Sequence, residues 1–199
     1  LKTAFNNLAH YSIDGSLHYL CMDWRHIKEI VLACEESYSE MKNMCVWNKS
    51  SGGMGSMYRS KHELVFVYKK GTAPHINNVE LGKHGRYRTN VWDYAGVNSF
   101  GGNREDLELH PTVKPVAMIA DAIMDATHRK DIVLDSFLGS GSTLMACEKT
   151  GRICRGIELE PKYIDVTIKR WQKVTGLDAV HSATGKTYNE LKKESTNEH

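Results

Sequence analysis

Proline is scarce in this 199-residue chain and never occurs twice in a row: the four prolines stand at 74, 111, 115 and 161. Beside only 16 glycines, this excludes a collagen-like or low-complexity chain. The cysteines lack any pairing pattern. There are five, at 21, 34, 45, 147 and 154, and none forms a CxxC. A disulfide framework and a cysteine-based zinc site are therefore not expected; reduced, cytosolic thiols are. Long apolar runs are missing. Ile30-Val31-Leu32-Ala33-Cys34 and Ile132-Val133-Leu134 are far too short for a membrane span, and no signal peptide is seen. An excess of one charge is missing too. Lys and Arg number 26 against 24 Asp and Glu, so any nucleic-acid binding has to rest on a local patch. The chain opens at Leu1 without an initiator Met, which leads us to expect a natural N-terminus upstream. What is present is a globular composition, 41% hydrophobic and 25% charged, in a length that suits one domain with a core needing no staples.

Helix and strand periods alternate. Residues 3–10 read as a helix, Leu17–Met22 (LHYLCM) as a strand after the turn Asp14-Gly15-Ser16, and residues 24–38 as a helix with Ile27, Ile30, Val31 and Cys34 on one face. Strands are predicted over 44–47 and 64–68, the second (LVFVY) β-branched and aromatic. Residues 71–109 show no period; such a stretch inside a compact domain is functional or disordered. Pro115 suits a first helical turn, and Val116, Ile119, Ala120, Ile123 and Met124 form a helical stripe behind it. Residues 131–135 (DIVLD) read as a parallel strand covered on both faces. A Gly-rich turn, a helix over 143–149, a strand over 152–158 and a helix opened by Pro161 complete a βαβα unit. Ile164, Ile168 and Trp171 are the last helix's expected buried stripe. The pattern predicts an α/β fold with a mainly parallel sheet: one domain over 1–176, then a polar tail over 177–199 expected to be partly disordered.

The sharpest motif is DSFLGSGST, residues 135–143. It follows a strand and opens a helix, at the sheet edge where open α/β folds bind ligands. Gly139 and Gly141 let backbone approach a ligand. Glu158, 23 positions beyond Asp135, suits the ribose hydroxyls of a nucleoside. No Lys follows the second glycine, which disfavours nucleotide hydrolysis, and Leu144 stands where a dinucleotide fingerprint has its third glycine. A carboxylate at this edge repels a pyrophosphate but suits a cation; S-adenosylmethionine carries a sulfonium and an ammonium and no phosphate. Upstream, HPTVKP (110–115) leads into a helix whose N-terminal amides suit a carboxylate.

HPTVKP, IVLDSFLGSGST and GIELEPKYIDVTIKRW together resemble the DNA amino-methyltransferases of the N6-adenine/N4-cytosine family, in the β-class order that places the cofactor half last. The likeness runs over about residues 17–176. It implies a permuted, Rossmann-like, three-layer α/β fold. It further implies S-adenosylmethionine as cofactor and double-stranded DNA as substrate, adenine N6 ahead of cytosine N4, in a cytoplasmic enzyme of the restriction-modification kind, and it allows a homodimer. By the resemblance Asp135, Phe137, Gly139, Ser140, Gly141 and Thr143 wrap the methionine part of the cofactor and Glu158 holds the ribose. His110, Thr112 and Lys114 lie near the methionine carboxylate. Ser136 stands where the family has Pro.

Residues 52–63 (GGMGSMYRSKHE) resemble the segment that lines the target-base pocket. Arg59 and Lys61 suit phosphate, and Tyr58 or His62 suits stacking on an unstacked base; a polar hairpin with solvated charges is the alternative. Lys83, His84, Arg86, Arg88 and Arg104 make 72–109 locally basic, where the family carries its target-recognition insert, with Arg86 and Arg88 as expected DNA contacts; a solvated loop is the alternative. The family's catalytic signature, Asp, Asn or Ser before Pro-Pro and an aromatic residue, accepts the amine's hydrogens and stacks the base. With no Pro-Pro here, no catalytic residue is expected to be retained and the motif is expected upstream of Leu1. Such a chain should bind cofactor without transferring a methyl group. If it does transfer, Asp14, Asp23 and Asn48 are the first candidates. No metal is implied. Two other readings stand beside this one: a non-catalytic DNA- or cofactor-binding fragment, and a methyltransferase acting on RNA, protein or a small molecule.

Overall fold

The computed structural model describes residues 1–83, 87–96 and 113–197. The elements, in chain order, are α1 (Lys2–His10), β1 (Leu17–Met22), a 3₁₀ turn (Trp24–His26), α2 (Ile27–Cys34), β2 (Glu40–Asn48), β3 (His62–Lys69), β4 (Val91–Asp93), α3 (Val116–Ala126), β5 (Ile132–Asp135), α4 (Ser142–Thr150), β6 (Ile153–Gly156), α5 (Pro161–Thr175) and α6 (Tyr188–Asn197).

The departures from expectation have local causes. The helix expected over 24–38 starts as a 3₁₀ turn, because the Asp23 carboxylate accepts the Arg25 N–H at 2.9 Å. It stops at Cys34, whose carbonyl accepts from both Ser37 and Tyr38. β2 and β3 outrun their apolar centres because their ladder continues from Glu40–Lys69 to Asn48–His62. β4 lies in the aperiodic stretch, three residues held parallel to β2 with Trp92 buried. β6 ends at Gly156, so Glu158 sits in the connection beyond it. The tail carries α6, opened by a capping box: Thr187 N–H donates to the Glu190 carboxylate at 2.8 Å, and Glu190 N–H donates to the Thr187 hydroxyl at 3.3 Å.

The strands form two sheets, β1-β3-β2-β4 and β5-β6. The expected parallel pairing is found in β5–β6 and β2–β4; β3 departs from it, running antiparallel to both neighbours. β3 also sets the layers. Leu64, Phe66 and Tyr68 pack on Phe5 and Leu8 of α1 and Ile30 and Cys34 of α2. Val65 and Val67 face the other way, with Trp47, Trp92 and the α3 residues Met118 and Ala122. The two-residue period of a strand sends alternate side chains into opposite layers. A third cluster joins Ala120 and Ile123 of α3 to Ala146 and Cys147 of α4, with Val133 and Cys154 against it. The result is a three-layer α/β architecture.

Three burial expectations change. Met124 is exposed, the α3 stripe being carried by Met118, Ala120, Ala122 and Ile123. Ile164, Ile168 and Trp171 are only half-buried, and Thr167 is the buried residue of α5. β5 is not fully covered, since Ile132 is 62% exposed. On β1, beside the first cluster, His18 is half-buried with its ring nitrogens near Tyr38 Oη (3.0 Å) and Ser16 Oγ (3.2 Å). Burial, reinforced by the Lys70 ammonium, pushes its pKa down to about 4.

Candidate cofactor turn and target face

β5 ends at Asp135, and the chain turns back through residues 136–141 into α4. The Asp135 carboxylate draws the turn together: it accepts the Phe137 N–H at 2.9 Å and the Thr143 hydroxyl at 2.6 Å. This clasps both ends of the motif to one side chain. Glu158 approaches from the connection after β6. Its carboxylate accepts the Gly139 N–H at 2.7 Å and the Glu160 N–H at 2.9 Å. Asp135, Gly139, Thr143 and Glu158 therefore meet at one turn. Gly141 caps α4 in the left-handed conformation (φ +81°), and a Cβ there would lie 2.6 Å from Thr167 Cγ2. Only glycine fits without strain. Ser140 is buried, whereas Phe137, Ile157 and Leu159 are exposed, the last 96%. The turn thus presents apolar side chains and a carboxylate, with no basic side chain among residues 135–143.

Lys114 reaches the same edge. Burial pushes the Cys21 thiol up; the Lys114 ammonium opposes this, and the Glu63 and Asp135 carboxylates add to it. The Lys114 and Asp135 charges thus both act at the end of β1. His110 and Thr112 lie outside the described residues, as does Arg86.

Two residues of the turn's support escape sequence reasoning. The Thr167 hydroxyl donates to the Gly139 carbonyl at 3.0 Å. Arg170 donates to the Ser140 carbonyl at 3.1 Å and to the Ser142 hydroxyl at 3.4 Å. The available signal was Thr167 itself, a hydroxyl inside the apolar stripe of α5, which must find a partner when buried.

The segment between β2 and β3 is built differently. Arg59 folds back on its own loop, donating to the carbonyls of Gly53 (3.0 Å) and Gly52 (2.7 Å). Tyr58, Met54 and Met57 are almost fully exposed, and Lys61 is exposed. His62 is half-buried at the start of β3. The Trp24 indole donates to the Ser60 hydroxyl at 3.1 Å, tying the segment to the end of β1. Arg88, expected on the DNA face, is turned inward. It pairs with Asp125 at 2.5 Å, lies 4.8 Å from the Trp92 ring and donates to Tyr94 Oη at 3.4 Å; Tyr94 donates in turn to Asp121. Asp121 and Asp125, one turn apart on α3, draw the guanidinium beneath β4. The fallback candidates are likewise engaged: Asp14 accepts the Ala73 N–H, Asp23 holds Arg25, and Asn48 donates to Asp93.

Comparison with known proteins gives a consistent picture. The N6_N4_Mtase family, described as DNA methylase, matches residues 5–169. The chain is similar to the type II methyltransferase M.HpaI of Haemophilus parainfluenzae, with 25% identity over 188 residues, 87% of this chain and 59% of that protein. It is similar to the DNA adenine methyltransferase YhdJ of Escherichia coli strain K12, with 27% identity over 182 residues, 79% of this chain and 60% of that protein. The chain thus spans about three-fifths of the length of these relatives. Among solved structures, the M1.HpyAVI–SAM complex matches with a TM-score of 0.71 at 25% identity, covering 85% of this chain and 81% of that one. The cytosine-N4-specific PvuII DNA methyltransferase matches in fold, with a TM-score of 0.68 at 16% identity over 83% and 67% of the two chains. The permuted, Rossmann-like α/β fold expected from the sequence is the fold observed.

Proposed function

The chain belongs to the N6_N4_Mtase family of DNA methylases, and from that premise we propose that the intact protein transfers a methyl group from S-adenosylmethionine to an exocyclic amine of a base in DNA, adenine N6 in preference to cytosine N4. The observation that carries this reading is the convergence of Asp135, Gly139, Thr143 and Glu158 on one turn at the carboxyl end of β5. The turn fits the cofactor. Its glycines leave room where a Cβ would intrude, and its acids suit cationic and hydroxyl groups. The lack of a basic side chain argues against a pyrophosphate.

S-adenosylmethionine, when bound, supplies an electrophilic methyl group on a sulfonium. The residues present position it. A carboxylate oxygen can accept more than one hydrogen bond, so Glu158 can receive a ribose hydroxyl beside the amides it accepts. Phe137, Ile157 and Leu159 offer apolar surface to a purine. Ser140 and Gly141 hold the turn against α5, with Lys114 opposite, and His110 and Thr112 are proposed near the carboxylate end. On the target side Tyr58 or His62 stacks on the base and Arg59 and Lys61 face phosphate. Catalysis of this kind rests on positioning and electrostatics. A DNA substrate and unpaired thiols fit a cytoplasmic protein, and among the described residues no helix is long and apolar enough to cross a membrane.

Residues 1–199 contain no Pro-Pro, so we propose that this chain binds cofactor but transfers no methyl group until the segment bearing that motif is joined to it. The test is transfer of labelled methyl to duplex DNA by residues 1–199 and by a chain extended through the upstream codons. Transfer by the extended chain alone is expected, since a catalytic constellation fails as a unit. Robust transfer by residues 1–199 overturns the proposal. In a salt series of DNA binding, Lys61→Ala is expected to flatten the slope by about 0.9, one phosphate being no longer neutralised, and Arg88→Ala to leave the slope of its folded fraction unchanged.

A further inference from the structure

We propose that Met54 and Met57, at the tip of the hairpin joining β2 to β3, form a wedge that enters the base stack of duplex DNA and holds the helix open beside the target nucleotide. The wedge rests on the reading of the chain as a DNA methylase and deepens it, giving a task to two side chains that neither cofactor nor phosphate engages.

The backbone beneath these side chains is braced. The β2–β3 ladder ends at Asn48–His62, but the pairing continues past it. Lys49 N–H donates to the Lys61 carbonyl at 2.8 Å, and Gly53 N–H donates to the Ser60 carbonyl at 2.8 Å. The Arg59 guanidinium crosses the hairpin to the carbonyls of Gly52 and Gly53. The Trp24 indole holds Ser60 from beyond the end of β1. At Gly55 a Cβ would lie 2.5 Å from the Tyr58 carbonyl oxygen, so the tip closes to a separation that only glycine allows. On this frame Met54 is 98% exposed and Met57 81% exposed. A wedge needs a fixed stem and an apolar point, and the hairpin has both.

The charge of the stem selects the partner. Residues 50–62 contain no acid. Arg59 donates to neutral carbonyls, which leaves its charge uncancelled, and Lys61 is exposed. An apolar tip on a cationic stem matches a polyanion with an apolar interior: phosphates outside, stacked bases within. Methionine suits such an interior, being unbranched, polarisable and favourable against aromatic faces. Apolar side chains, methionine among them, part base steps in this way in proteins that kink DNA.

The position of the hairpin fits the task. Met22 pairs with Leu64, so β3 begins where β1 ends, and the stem is tied to that end through Trp24. The Asp135 carboxylate of the cofactor turn also acts there. A base extruded toward the cofactor leaves a hole in its own stack, and the cost of unstacking has to be offset. Met54 and Met57 fill that hole from the hairpin, while Tyr58, next in the chain, remains for the extruded base.

The experiment is relaxation of a closed circular plasmid by a topoisomerase with the 199-residue chain bound, which reads unwinding without knowledge of the recognition sequence. Bound wild type is expected to change the linking number. The double variant Met54→Ser/Met57→Ser is expected to bind about 10-fold or more weakly, with the salt slope of wild type, and at saturation to leave the linking number unchanged. Met54→Leu/Met57→Leu is expected to restore both affinity and unwinding. The two positions face solvent, so chemical denaturation of all three chains should coincide. Equal affinity and unwinding in wild type and the serine variant overturns the wedge alone, as does wild type that binds the plasmid without unwinding it. Methionine-dependent binding to anionic phospholipid vesicles, or methionine-dependent self-association, in place of unwinding overturns it in favour of another partner. A plasmid that no chain binds, wild type included, removes the DNA reading and the wedge with it.

Discussion

The turn after β5 and the segment after β2 are both rich in glycine and polar side chains, but their polar groups do different things. In the turn, Asp135, Glu158, Thr143 and Thr167 bond to backbone or side chains of the same motif, from three separate stretches of the chain. In the segment, Arg59 bonds to its own loop, and Tyr58, Met54 and Met57 are left to solvent. The first is organised before any ligand arrives. The second leaves its side chains to solvent, so that fixing them against any partner would carry an entropic cost.

The largest way to break this contrast is Glu158→Ala. The variant removes the charge-assisted hydrogen bonds proposed from Glu158 to the ribose, each worth about 1.5–3 kcal/mol, and it leaves the Gly139 and Glu160 amides without the acceptor that organises the turn. Titration calorimetry should show S-adenosylmethionine binding weakened by more than about 100-fold, with DNA affinity unaltered. Wild-type cofactor affinity in this variant would remove Glu158 from the site.

Next comes the core beneath the target half. His18 has its folded-state pKa lowered from 6.5 to about 4 by burial and by Lys70. Its neutral ring therefore contributes stability that is fully present above about pH 6.5 and is lost as pH falls through about 4. The contribution is about 3 kcal/mol. Urea denaturation of wild type and His18→Phe should diverge in pH dependence over that window; parallel profiles would show that His18 is not held neutral.

The smallest effect sharpens the contrast at single glycines. Gly141→Ala forces a side chain into φ +81° and against Thr167, and is expected to cost about 1–2 kcal/mol along with cofactor affinity. Gly53→Ala meets nothing nearer than the Ser60 carbonyl at 3.6 Å, and its stability should stay within about 0.5 kcal/mol of wild type. Chemical denaturation of the two variants side by side checks both; equal costs would mean that the turn is no more organised than the loop.

Much of the fold was legible because its signals are local. The LVFVY run, the α3 stripe and the Gly-rich turn each announce an element within a few residues, and their positions hold. β4 was not legible, since three residues carry no period and Trp92 is buried only because β2 and α3 close over it. Arg88 shows the limit at the site. In a basic stretch it reads as a DNA contact, but its position is set by Asp125, 37 residues later, and by the Trp92 ring.

By itself the sequence determined the alternation of elements, the α/β class, the cofactor motif and the acid that joins it, because periodicity, glycine spacing and strand-end chemistry are properties of short segments. Only the tertiary structure decided which charges turn inward and that Thr167 and Arg170 brace the turn. Those outcomes depend on groups distant in the chain meeting in one layer, where burial and hydrogen-bond partners are settled by packing rather than by sequence neighbours.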